Sequence, residues 1–267
     1  MTTRRDFLRA TAGVGAADRW STGSAFADVD GDGDLDVLGV CEGAIAWWEN
    51  TAGDGSTWSK QTVGGSLAQA ASVAAADLDG DGDMDILGAV FGANEIAWWE
   101  NKAGDGSTWT EHAVDSDFFG AWDVVPADVD NDGDVDVLGM GYMQSSIAWW
   151  ENSAGDGSAW SKHHLGTVTY TARGIAAADI DGDGDVDVLG AAENSVTVAW
   201  WENRDGDGSS WAKFNVEQGW DTTTAWDVGA ADVDGDGDQD ILGGVQDAGM
   251  IWWENLTGDG GDWDKHT

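Results

Sequence analysis

The residues of this chain best suited to chemistry are aspartates in a fixed order. Asp28, Asp30, Asp32, Asp34 and Asp36 alternate with other residues, and Gly33 stands sixth, counting from Asp28. The order recurs at Asp77, Asp79, Asp81, Asp83 and Asp85, and again at Asp128, Asp130, Asp132, Asp134 and Asp136. It returns at Asp179, Asp181, Asp183, Asp185 and Asp187, and finally at Asp232, Asp234, Asp236, Asp238 and Asp240. Carboxylates at positions 1, 3, 5 and 9 with glycine at 6 match the first nine positions of an EF-hand-type loop. The alternation lets a curled backbone turn its acids inward around one hard cation. Position 7 offers its carbonyl, so the side chain of Asp34 and its equivalents is expected to point away. Without a cation the clustered carboxylates repel one another. All-oxygen ligands favour Ca2+ or Mg2+ over Zn2+. Ligand number and loop flexibility favour Ca2+, about one ion per loop. No Glu occupies position 12, which predicts a loop between strands rather than between helices.

Other constellations are weaker. Three of the four histidines, His112, His163 and His266, share one repeat position, where Gln61 and Phe214 stand in the other copies. They read as surface residues of an outer strand, and His164 has no repeat counterpart. No Ser/His/Asp or Cys/His arrangement stands out, and the glycines belong to the Asp loops rather than to a phosphate-binding motif. Asp117, Glu217 and Asp221 qualify as unrepeated acids by location alone. The expectation is a protein that is not an enzyme, with a polysaccharide-active enzyme as the remote alternative.

The elements that must carry the loops come from the repeat. The Asp strings begin 49, 51, 51 and 53 residues apart. Each is followed by (Val/Ile)-Leu-Gly, then a Trp-Trp-Glu-Asn segment at Trp47-Trp48, Trp98-Trp99, Trp149-Trp150, Trp200-Trp201 and Trp252-Trp253. A Gly-Asp-Gly turn and a lone Trp (Trp58, Trp109, Trp160, Trp211, Trp263) complete the unit. Each unit holds four short runs rich in Val, Ile and Trp; in the third copy they are 122–127, 135–140, 147–152 and 160–165. Four strands every 50 residues or so predict an all-β, five-bladed β-propeller with four antiparallel strands per blade. Neighbouring residues of a strand face opposite ways, so the paired Trp predict blades buried on both faces. The unit bounds are about 20–66, 67–116, 117–167, 168–220 and 221–267.

The Asp loop, the following (Val/Ile)-Leu-Gly and the Ile-Ala-Trp-Trp-Glu-Asn strand resemble the FG-GAP/VCBS repeats of integrin α-subunit propellers and microbial secreted proteins. The resemblance covers about residues 20–267. It implies one Ca2+ between the first and second strands of each blade, held by the five Asp positions of each loop, the seventh through its carbonyl. The integrin type has seven blades where five are counted here. Two closures therefore remain open: side-chain contact between blades one and five, or a larger ring completed by further sequence or another copy.

The first nineteen residues stand apart. Arg4-Arg5-Asp6-Phe7-Leu8-Arg9 resembles a twin-arginine export signal, with a short apolar stretch ending at Asp18-Arg19. A secreted or cell-surface location is expected. The balance of 51 acidic to 11 basic residues, formally −40, repels nucleic acid and anionic membranes. Five Ca2+ would offset only part of it, and a halophilic surface is the expectation for the remainder. The 19 Trp argue against disorder. Cys41 is the lone cysteine, so no internal disulfide forms.

A meander puts the Asp loops and Gly-Asp-Gly turns on one rim, nearly identical in every copy. The opposite rim differs between copies, at Phe91-Gly92-Ala93-Asn94 and Gly141-Tyr142-Met143-Gln144 for example. The position six residues before each Asp string also differs: Thr22, Ala71, Trp122, Arg173 and Trp226. Trp122, Arg173, Trp226, Trp220, Tyr142 and Phe119 are the candidate ligand residues, aromatics for sugar rings and Arg for an acidic group. The expected function is glycan or cell-surface protein recognition; a self-associating structural module is the alternative.

Overall fold

The computed structural model describes residues 23–41, 43–65, 67–168, 171–192, 197–218, 225–245 and 248–267. Its regular structure is β throughout, in five four-stranded antiparallel meanders. The first strands are Ser24–Ala27, Ala70–Ala76, Ala121–Ala127, Ala172–Ala178 and Ala225–Ala231. The second are Asp36–Cys41, Asp85–Val90, Asp136–Gly141, Asp187–Ala192 and Asp240–Val245. The third, carrying the Trp pairs, are Ala44–Glu49, Glu95–Asn101, Ser146–Asn152, Thr197–Asn203 and Gly249–Asn255. The fourth are Ser59–Gly64, Trp109–Asp115, Trp160–Thr167, Trp211–Gln218 and Trp263–His266. The strands predicted in the third copy fall within two residues of these bounds. First strands of successive blades lie side by side, the inner wall of a propeller. No helix among the described residues is long and apolar enough to cross a membrane.

Blade register sorts the Trp pairs. In blade three Leu138 pairs with Trp149, and Trp149 with His163; Val137 pairs with Trp150, and Trp150 with Lys162. Leu138 and Trp149 face blade four, packing with Val188 and Trp201. Val137 and Trp150 face blade two, packing with Leu87 and Trp98. Two further cores join blades one and two (Leu38 and Trp47 with Ile86 and Trp99) and blades four and five (Leu189 and Trp200 with Ile241 and Trp253). A buried Trp removes roughly 150–250 Å2 from water, on the order of 4–6 kcal/mol before entropy at about 25 cal/mol per Å2.

A polar latch crosses each of these four interfaces. Asn152, 1% exposed, donates its Nδ2 to the Leu78 carbonyl of blade two at 2.9 Å and accepts from the Gly157 N–H at 3.0 Å. Asn101, Asn203 and Asn255 reach Val29, Val129 and Ile180 in the same way. The latch holds the Gly-Asp-Gly turn against the neighbouring blade. Gly157, at φ +66, lies so close to the Trp98 ring that a Cβ would collide with it.

The expectation that every Trp pair is buried on both faces holds in blades two to four and needs correction at the ends. Trp48 and Trp252 are only half-buried, whereas their equivalents in the interior blades are 1–2% exposed. Five blades make four apolar cores among the described residues, so each end blade keeps one uncovered face.

Candidate functional site

The Asp loops join the first and second strands, as expected. In blade three the loop is wired through its own carboxylates. Asp136 at the ninth position is 1% exposed; it accepts the Val129 N–H at 2.9 Å and the Asn152 N–H at 2.7 Å. Asp128 accepts the Gly133 N–H at 3.1 Å, and Gly133 takes φ +97, in the region glycine adopts freely. Asp130 accepts from Asp132 at 3.3 Å, and Asp132 from Asp134 at 2.9 Å. The fifth loop repeats the Asp240, Asp234 and Asp236 bonds. The ninth Asp therefore does more than the sequence suggested: it pins the loop to the third strand of its own blade.

This wiring gathers oxygens. In blade three one oxygen each from Asp128, Asp130 and Asp136 lies within 4.8 Å of the others. Asp77, Asp79 and Asp85 converge likewise, as do Asp179, Asp181 and Asp187, and in blade one Asp28, Asp30 and Asp32. Burial pushes Asp85, Asp136 and Asp187 up to about 7, with neighbouring carboxylates adding to the rise. Burial and the adjacent acids lift Asp30 and Asp181 to about 6. Oδ1 of Asp28 and of Asp128 is buried without a hydrogen-bond partner. An orphaned, buried carboxylate oxygen within a cluster of acids fits a hard divalent cation. The seventh-position acids Asp34, Asp83, Asp134, Asp185 and Asp238 turn onto Gly53, Gly104, Gly155, Gly206 and Gly258 of the Gly-Asp-Gly turns, leaving only their carbonyls for an ion.

The opposite rim is positioned by one recurring irregularity. The pairing of first and second strands slips between Ala70 and Ser72, Ala121 and Asp123, Ala172 and Gly174, and Ala225 and Asp227. The extra residues are Ala71, Trp122, Arg173 and Trp226. A bulge re-aims the side chain it carries, and here it collects residues from different blades. The Arg173 guanidinium carbon lies 4.5 Å from the Trp226 ring centre, 4.9 Å from Tyr142 and 5.3 Å from Trp122. Trp122 and Tyr142 are 5.1 Å apart, and Phe91 meets both edge-on at 5.7 and 6.1 Å. Trp122 and Arg173 are buried at 4% and 5% exposure, whereas Trp226 is 43% exposed. The Trp122 Nε1 is buried with no hydrogen-bond partner.

Behind the cluster, Asp123 ties three blades together. It accepts from Ser72 Oγ of blade two at 2.6 Å and from the Ile175 N–H of blade four at 3.1 Å. Burial raises it to about 6, against the pull of these bonds. Asp227 of blade five is also raised by burial.

Four of the six candidate ligand residues thus converge. Phe119 is exposed and makes no ring contact with the cluster among the described residues; Trp220 lies outside them, as do Thr22 and Asp221. Phe91 was missed as a lining residue, although its loop was singled out as variable. Asp117 is exposed on a turn, where its N–H donates to Asp115. His112, His163 and His266 sit on the outer strand, each stacked on the first Trp of its pair and bonded to Glu100, Glu151 or Glu254.

Comparison with known proteins agrees with this architecture. The FG-GAP-like repeat pattern matches residues 28–88, 128–190 and 179–243, more than half of the chain. No curated protein matches. Among solved structures, a lectin from Agrocybe aegerita with specific recognition of non-reducing terminal N-acetylglucosamine superposes with a TM-score of 0.60 at 22% identity. The match covers 90% of this chain and 64% of the lectin, so the chain spans less than two thirds of that protein. This chain belongs to the FG-GAP-like repeat family.

Proposed function

We propose that this protein is an exported recognition module whose Asp loops hold Ca2+ and whose bulge cluster binds a glycan. The observation that carries the reading is the convergence of Trp122, Tyr142, Trp226 and Arg173 on the one rim where the blades differ. The half-exposed Trp226 offers a stacking face for a sugar ring. Arg173 holds that ring in place through cation–π contact and lends positive charge to an acidic or N-acyl sugar. The lectin with the same fold, which recognises N-acetylglucosamine, supports a saccharide ligand.

Ca2+ fits the loops through the carboxylates at positions 1, 3, 5 and 9 and the carbonyl at 7. Bound there it supplies positive charge that lets buried acids stay ionised. The chain's own part is to pre-curl each loop through the Asp-to-backbone bonds, so that binding stiffens the blade rather than building it. Asp123 accepts three donors from the protein, which suits a structural pin better than an acid–base catalyst. Export through the twin-arginine route, and a surface suited to strong salt, complete the reading.

A glycan array in high KCl with millimolar Ca2+ tests it. Binding that disappears on Trp226→Ala, with the fold retained, supports the reading. Absence of any glycan binding by the natural chain removes it.

A further inference from the structure

The outer ribbon of blade five carries a set of side chains that the other blades lack. There His266 pairs with Trp252, and Asp264 with Glu254, so the four side chains share one face of the sheet. The His266 Nε2 lies 2.7 Å from Glu254 Oε2 and 3.9 Å from Asp264 Oδ2. One ligand atom from each of Glu254, Asp264 and His266 falls within 4.8 Å of the other two. Blades two and three repeat the His–Glu pair, as His112 with Glu100 and His163 with Glu151. Where Asp264 stands, however, they have Thr110 and Ser161. Blades one and four have Ser59 and Ala212 there, with no histidine two residues on. Lys102 also binds Glu100 at 2.8 Å, and blade five has Leu256 at the position of that lysine. The His266 side chain is 37% exposed, close to the 38% and 42% of His112 and His163. Its accessibility therefore belongs to the outer strand of any blade. The ring stacks on Trp252 at 4.2 Å and 16°, which fixes the direction of Nε2.

We infer that Glu254, Asp264 and His266 form a second kind of metal site, for a divalent transition ion of the Zn2+ class. An imidazole nitrogen beside two carboxylates suits Zn2+, Cu2+ or Ni2+, whereas Ca2+ takes oxygen ligands. Ligands about 2.0–2.1 Å from Zn2+ in a tetrahedron stand about 3.3 Å from one another. That spacing lies between the 2.7 and 3.9 Å found here, so binding needs only small side-chain shifts. A carboxylate only accepts, so Nε2 carries the ring proton while it bonds Glu254. With the ion bound, the Nε2 lone pair faces the metal and the ring proton sits on Nδ1. The two carboxylates cancel the two charges of the ion, and water completes its coordination. This inference is independent of the glycan reading and of Ca2+ in the Asp loops.

The chain has four histidines, so imidazole 15N NMR can follow each of them. Zn2+ is titrated into the whole chain with millimolar Ca2+ kept present to compete for the all-oxygen loops. The His266 ring is expected to respond first, its proton passing from Nε2 to Nδ1. His112 and His163 are expected to need about tenfold more Zn2+. Asp264→Ser gives blade five the residue that blade three has at Ser161, so the fold is expected to stand. It should weaken Zn2+ binding at His266 about tenfold, to the level of His163. Ser161→Asp is the converse, and is expected to bring His163 up to the affinity of His266. Equal responses of His163 and His266 in the natural chain would overturn the proposal, because any surface His–Glu pair would then serve. So would an unchanged affinity in Asp264→Ser, or a His266 ring that ignores Zn2+ throughout the titration.

Discussion

Asp136 and Trp122 belong to the same pair of strands in blade three and sit near its opposite ends. Asp136 pairs squarely with Ala127 and spends both carboxylate oxygens on backbone N–H groups. Trp122 is the residue the register skips, and its ring packs between Phe91 of blade two and Arg173 of blade four. The Asp end is built alike in every blade, because each loop must solve the same problem of concentrated negative charge. The bulge end is built once, from Ala71, Trp122, Arg173 and Trp226 in turn. A repeat protein can hold its scaffold constant on one rim and vary the other without disturbing the strands between.

The largest effect expected from breaking this contrast is on the Asp rim. A site saturated at 100 times its Kd adds about 2.7 kcal/mol, so several such sites together rival the whole stability of an ordinary domain. Chelation in EGTA at pH 7 is expected to lower the melting temperature by more than about 10 °C. An unchanged melt would remove Ca2+ from the account.

Next in size is the latch. Asn152→Ala leaves the Leu78 carbonyl and the Gly157 N–H without partners inside an interface, at a cost of about 2–4 kcal/mol. Asn50→Ala, in a blade with no neighbour on that side among the described residues, is expected to cost less than half as much. Denaturant unfolding of the two variants gives the comparison.

The pH dependence of the metal-free chain follows from the raised acids. Asp85, Asp136 and Asp187 titrate near 7 when folded and near 3.9 when unfolded. Between those values the folded state holds more protons, so stability falls as pH rises from about 4 to about 7. Ca2+ displaces those protons, and the same scan with millimolar Ca2+ is expected to be flat or rising over that window. Thermal melts across the range, with and without EGTA, read the sign.

The smallest effect on stability is expected at Trp226. It is 43% exposed, so Trp226→Ala should shift the melt by only a few degrees while removing ligand binding. Calorimetric melts beside a binding assay separate the two.

Most of the scaffold was legible in the sequence because repetition multiplies the signal. Five Asp strings and five Trp pairs gave the blade count, the strand order and the rim that carries the acids. The bulge was not legible, because whether Trp122 is paired or skipped depends on how Met140 and Gly141 of the partner strand pair with Asp123 and Ala121, not on local residue type. Phe91 was missed for a related reason: its contact with Trp122 and Tyr142 crosses between blades. The fate of Met250 was hidden by the repeat itself. It occupies the position that Ile147 occupies, yet it is exposed where Ile147 is buried, because no blade among the described residues packs on that face. The double duty of the ninth Asp was likewise invisible, since its spacing suits an ion ligand and a backbone pin equally.

The division of labour between the rims is tested most directly by one crossed experiment. Glycan affinity and melting temperature are measured at saturating Ca2+ for the natural chain, Asp130→Asn and Trp226→Ala. Asp130→Asn is expected to lower the melt and leave affinity within about twofold, and Trp226→Ala is expected to do the reverse. Loss of affinity in Asp130→Asn with the fold intact would contradict the account, because it would place the ligand on the Asp rim.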